Sequence, residues 1–76
     1  DRIRPAFVDV PLDTADPYVA TILGSIITLT PGTLTIDIDM EKRVAHIHAL
    51  DVQDKSMLIA EIKSRYEAPL KEIFGC

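Results

Sequence analysis

The chain has 76 residues, 8 basic and 12 acidic, for a formal charge of −4, with 47% hydrophobic residues and one cysteine. A chain of this size buries only about 60% of the surface its unfolded form exposes, so it holds one core and has little room for an enclosed active site. The acidic balance, four scattered aromatic residues (Phe7, Tyr18, Tyr66, Phe74) and dispersed basic residues exclude a phosphate-tracking, base-stacking surface, so nucleic acid is not an expected partner. Cys76, the sole cysteine, excludes an intrachain disulfide or a cysteine-based zinc site.

The first expected element is a strand in IRPAFVDVPL, Ile3 to Leu12, with Ala6, Val8, Val10 and Leu12 on one side and Phe7 and Asp9 on the other. Asp16-Pro17 then reads as an N-cap followed by proline at the first helical position. Val19, Ile22, Leu23 and Ile26 supply the apolar stripe of that helix. The run YVATILGSIITL spans only 12 residues and is broken by Thr21, Gly24, Ser25 and Thr28, whereas a membrane span needs about 20 apolar residues.

Four threonines surround a Pro-Gly pair in ITLTPGTLTIDID, Ile27 to Asp39. L-proline cannot take the positive φ that tight hairpin turns demand at their first central position, whereas Pro then Gly suits a type II turn. Thr30, Pro31, Gly32 and Thr33 are therefore expected to form a structural turn between helix and strand. A phosphate-binding loop would need more glycines, usually a lysine, and a helix after it, and a strand follows here.

In TLTIDID, Leu34, Ile36 and Ile38 alternate with Thr35, Asp37 and Asp39, and VAHIHAL continues the pattern with Ala45, Ile47 and Ala49. With Asp39 opposite Val44, a hairpin pairs Ile38 with Ala45, Asp37 with His46 and Thr35 with His48. Asp51 and Asp54 are candidate N-caps of a last helix whose stripe is Leu58, Ile62, Tyr66, Leu70 and Ile73. Glu61 with Arg65 and Glu67 with Lys71 stand at ion-pair spacing. Pro69 is expected to kink the helix or restart it after Glu67.

These elements predict an α+β fold in the order β-α-β-β-α, two helices packed on one face of a three-stranded mixed sheet. The first two strands flank a right-handed helical crossover and are expected to be parallel. Sequence leaves the third strand at the middle or the edge; the half-ferredoxin-like arrangement, with it in the middle, is the expectation. The expected core is Val8, Val10, Ile22, Ile26, Ile36, Ile38, Ile47, Ile62 and Tyr66, so that Ile36→Asp should unfold the domain.

The other sheet face would carry Phe7, Asp9, Thr35, Asp37, Val44, His46 and His48, a mixed surface suited to docking a partner and equally to facing solvent. His46 and His48 beside Asp37 and Asp39 could hold a divalent cation, against which stands a plain Asp37–His46 cross-strand pair with no secured fourth ligand. Ser25 and Ser56 have no base in sequence reach, and Asp37 and Asp39 on an open face have little to tune them, so no catalytic residue and no cofactor are expected. The chain begins at Asp1 without an initiator methionine or signal-like segment, and is expected to be a single domain, residues 1–76, cut from something longer.

The segments RIRPAFVDVPLD, SIITLTPGTLTIDID, HIHALDV and EIKSRYEAPLKEIF, in that order and covering nearly the whole chain, resemble the C-terminal part of the E subunit of the Mrp-type multisubunit sodium/proton antiporters. ITLTPGTLTID carries most of that resemblance. His46 departs from it, since the family usually has an apolar residue there, which weakens a metal site. The resemblance implies a cytoplasmic domain of a bacterial inner-membrane complex that exchanges Na⁺ or K⁺ for H⁺, preceded by transmembrane helices. It also implies a non-enzymatic accessory role, with other subunits of the complex as partners and self-association as a further possibility. Arg2 and Arg4 would follow the membrane exit, in agreement with the positive-inside rule. The alternative from the residues themselves is a regulatory module sensing a cation through Asp37, His46 and His48.

Overall fold

The computed structural model describes residues 4–75; the expectations for Ile3, Arg2 and Cys76 lie outside them. The elements are β1 (Ala6–Pro11), α1 (Pro17–Leu29), β2 (Thr33–Asp39), β3 (Val44–Ala49), α2 (Lys55–Ile62), a π-helical turn over Lys63–Glu67, and α3 (Ala68–Phe74). This is the expected β-α-β-β-α order. The strands lie in the order β1-β3-β2, with β3 in the middle, and both ladders are antiparallel. β1 and β2 therefore run in the same direction, as the crossover requires, but β3 separates them, so the sheet is antiparallel in its hydrogen bonding rather than mixed.

One sheet face is covered by the helices. Val8 and Val10 of β1 and Ala45, Ile47 and Ala49 of β3 are buried there, and most of them join Val19, Ala20, Leu23, Ile27, Ile62 and Leu70 in one cluster. Alternate residues of β1 and β3 point the other way, where no helix lies, which is the period-2 division expected of a half-covered antiparallel sheet.

α1 starts as its sequence dictates, with the Asp16 carboxylate accepting the Tyr18 N–H at 2.9 Å and Pro17 beginning the helix. Its buried face is Val19, Ala20, Leu23, Gly24 and Ile27, one position round from the expected stripe, and Ile22 and Ile26 are half-buried flanks. The rotation follows from Gly24. A Cβ built there would stand 2.9 Å from Ile38 Cδ1, so the missing side chain is what lets α1 settle onto β2.

β2 corrects the period-2 reading. Ile38 pairs with Ala45, Asp37 with His46 and Asp39 with Val44, but a bulge between Thr35 and Asp37 sets Thr35 opposite Ile47 and Leu34 opposite His48. Thr33 and Thr35 therefore face α1, where the Thr35 hydroxyl donates to Gly24 O at 2.9 Å and the Thr33 hydroxyl to Ile27 O. Ile36, the extra residue, is 54% exposed and not part of the core, so the expectation that Ile36→Asp unfolds the domain is overturned.

The helix stop between α1 and β2 is built from threonines. Thr33 N–H donates to Thr30 O at 3.3 Å across Pro31-Gly32, and Gly32 has φ +83°, which suits the second central position of a type II turn. The Thr30 hydroxyl donates to Ile26 O, and Thr28 Oγ1 accepts the Thr35 N–H. The hydroxyls of Thr30 and Thr33 satisfy carbonyls that every helix leaves unpaired at its C-terminus.

Candidate functional site

The uncovered sheet face is assembled by all three strands. β1 contributes Phe7 and Asp9, β3 contributes Val44, His46 and His48, and β2 contributes Leu34, Asp37 and Asp39. Because β3 is central, His46 has a carboxylate opposite it on either side, Asp9 on β1 and Asp37 on β2. The imidazole chooses β1: its Nδ1 lies 2.7 Å from Asp9 Oδ1, in place of the Asp37 pair that the hairpin alone suggested. Next to it, the Phe7 and His48 rings are tilted at 48° with centroids 4.9 Å apart.

Phe7 is 70% exposed, and Leu34 and Ile36 are exposed as well, so the face combines apolar side chains with the hydrogen-bonded His46–Asp9 pair and carboxylate edges. Thr35 does not belong to it, because the bulge turns that residue to the helices. Leu34 takes its place opposite His48. A sequence reading misses the exchange because hydrophobic alternation favours Leu34 inside, whereas the helix carbonyls draw in threonine hydroxyls.

Among the described residues no group of three or more His, Cys, Asp or Glu side chains comes together as a metal site, so His46, His48 and Asp37 do not make one. The Ser25 hydroxyl is bonded to Thr21 O within its own helix. The groove along the outer side of α1, lined by Thr21, Gly24, Ser25, Thr28, Thr35 and Ile38, carries no titratable side chain among those residues.

The feature that sequence reasoning missed is a buried carboxylate. Glu67 is 1% exposed, and its Oε2 accepts the N–H groups of Asp13 at 2.8 Å and Thr14 at 3.0 Å. Its Oε1 accepts from Lys63 Nζ at 3.1 Å, and that ammonium also donates to Pro11 O at 2.7 Å and pairs with Asp13. Glu67 thus ties the C-terminal helix to the end of β1 and the start of α1, instead of pairing with Lys71 on a solvated face. The π-turn makes this possible. The Ala68 N–H bonds Lys63 O, one residue further back than in an α-helix, which relieves the clash of the Pro69 ring with the preceding turn. The extra residue turns Glu67 inward and Ile73 outward, to 74% exposure, while Ile62 and Leu70 stay buried.

A small α+β domain with a half-covered antiparallel sheet and a mixed, exposed opposite face is the class that this fold and site define. The family model described as Na⁺/H⁺ ion antiporter subunit matches residues 1–73, and the chain belongs to that family. It is 34% identical over 72 residues to the E subunit of the Na⁺/H⁺ antiporter of Bacillus subtilis, covering 95% of this chain and 46% of that protein. It is 33% identical to the E subunit of a probable K⁺/H⁺ antiporter of Rhizobium meliloti, covering 95% of this chain and 44% of the relative. Among solved structures, a chain of the Mrp complex from Dietzia sp. matches with a TM-score of 0.75 at 30% identity, over 90% of this chain and 66% of that one. The chain spans a little under half the length of those two curated relatives.

Proposed function

We propose that this chain is the cytoplasmic, non-catalytic domain of an accessory subunit of a multisubunit monovalent cation/proton antiporter in the bacterial inner membrane. Its physical task is to hold neighbouring subunits of that complex, or itself, against a rigid surface. The match to antiporter E subunits over 95% of this chain carries the reading. Those relatives are more than twice as long as the matched stretch. Among the described residues, no helix is long and apolar enough to cross a membrane.

Phe7, Asp9, Asp37, Val44, His46 and His48 are assigned to the partner interface. An interface is distinguished from ordinary surface by exposed aromatic groups near its centre and polar groups at its rim, and Phe7 beside the His46–Asp9 pair has that composition. Thr30, Pro31, Gly32 and Thr33 keep a purely structural role.

The test is sodium-dependent proton flux in everted vesicles from cells in which this subunit is truncated just before Arg2, with a native gel of the complex. Loss of flux and of the complex together identifies an assembly scaffold. An intact complex with altered flux identifies a regulator, and an intact complex with unchanged flux removes the proposal.

A further inference from the structure

The two free edges of the sheet differ. In the first half of the β2 edge two outward N–H groups are already used, Thr33 N–H by Thr30 O and Thr35 N–H by Thr28 Oγ1, and the bulge at Ile36 breaks the ladder. Such blocking is how natural sheets close their edges to further pairing. β1 has no bulge.

The β1 register can be read from one bond. Leu12 N–H donates to Arg43 O at 2.8 Å, so Leu12 begins the alternation in which Val10, Val8 and Ala6 bond to β3. Phe7 and Asp9 then direct their N–H and C=O groups away from the sheet, and among the described residues no hydrogen bond outside the strand ladder engages them. Pro5 and Pro11 bound this open stretch, and Pro11 O is taken by Lys63.

We propose that this edge takes an extended strand from a neighbouring subunit, which hydrogen-bonds to the backbone of Phe7 and Asp9 and becomes the fourth strand of the sheet. The inference rests on the reading of the domain as an assembly module and names how it is held. A second copy fits poorly. The C-terminal helical segment lies over β1, with Ile62 in the same cluster as Val8 and Val10 and Lys63 reaching Pro11 O. Paired β1 strands would stand about 4.8 Å apart, and helices centred over them would fall inside the roughly 8–10 Å that helix packing requires. An extended segment without its own helix avoids that collision and leaves the Asp9–His46 pair intact.

Residue-resolved amide hydrogen exchange tests this on the 76-residue chain alone and on the full-length subunit in its assembled complex. The Phe7 and Asp9 amides are expected to exchange freely in the chain and at least a hundredfold more slowly in the complex. Asp9→Ala removes the carboxylate that pairs with His46 but keeps the outward N–H, whereas Asp9→Pro removes both, so the two variants are expected to melt alike and only Asp9→Pro should cut the complex-dependent protection at Phe7 at least tenfold. Equal exchange in chain and complex overturns the proposal. Protection that rises with concentration in the chain alone, together with doubled mass, also overturns it and assigns the edge to a second copy. If the vesicle experiment shows that the domain is needed while these amides stay unprotected, the assembly reading stands and the strand addition fails.

Discussion

Glu67 shows how a single side chain can organise a small domain. Its carboxylate, itself buried, receives two backbone N–H groups from the β1–α1 loop and an ammonium from its own helix. Truncation leaves both N–H groups unpaired and Lys63 without its buried anion, so Glu67→Ala is expected to cost about 3 kcal/mol in urea unfolding. Glu67→Gln keeps one acceptor oxygen and should cost less. Ile36 is the opposite case. It is exposed on a bulge, so Ile36→Asp is expected to change stability by no more than about 0.5 kcal/mol, whereas Ile47→Ala in the core should cost about 2–5 kcal/mol. Equal losses for the Ile36 and Ile47 variants would contradict the bulge.

At the scale of elements, α1 and β2 are joined by a glycine and a set of hydroxyls. Gly24→Val would press two methyl groups against Ile38 and Thr35, and its melting curve should report a loss of about 1–3 kcal/mol from overpacking. Gly32→Ala meets only an ordinary contact with Leu50 Cβ at 3.9 Å but must hold φ near +83°, and is expected to cost about 1 kcal/mol from backbone strain. Element types and most boundaries were legible: the Asp16-Pro17 start, the Thr30–Thr33 stop and the β2–β3 hairpin all follow from local chemistry. The bulge was not, because it is set by contacts between Thr33, Thr35 and a helix up to eleven residues away. The restart of the helix after Glu67 follows from Pro69, whereas the burial of Glu67 does not, because its donors lie 53 and 54 residues earlier in the chain.

For the whole molecule, the arrangement separates what holds the fold from what remains available. All helices lie on one sheet face, and the other carries Phe7, the Asp9–His46 pair and the His48 ring. Phe7→Asp should leave the chain's melting temperature nearly unchanged, because that side chain is exposed, yet weaken the complex on a native gel if this face is the interface. A marked drop in melting temperature would place Phe7 in the fold's own stability instead. Of the seven residues assigned to that face from sequence, six lie on it, and Thr35 was displaced by the one-residue slip that a bulge imposes.

The sequence by itself determined the order of elements, the helix start at Asp16, the turn at Pro31-Gly32 and the inward set of β1 and β3. Each of these rests on interactions between residues close in the chain or on strict alternation. Only the tertiary structure decided that His46 pairs with Asp9, that Thr35 faces α1, that Glu67 is buried and that β1 keeps an open edge. These depend on which strand became central and on which polar groups needed partners once water was excluded, and neither is encoded in any local stretch.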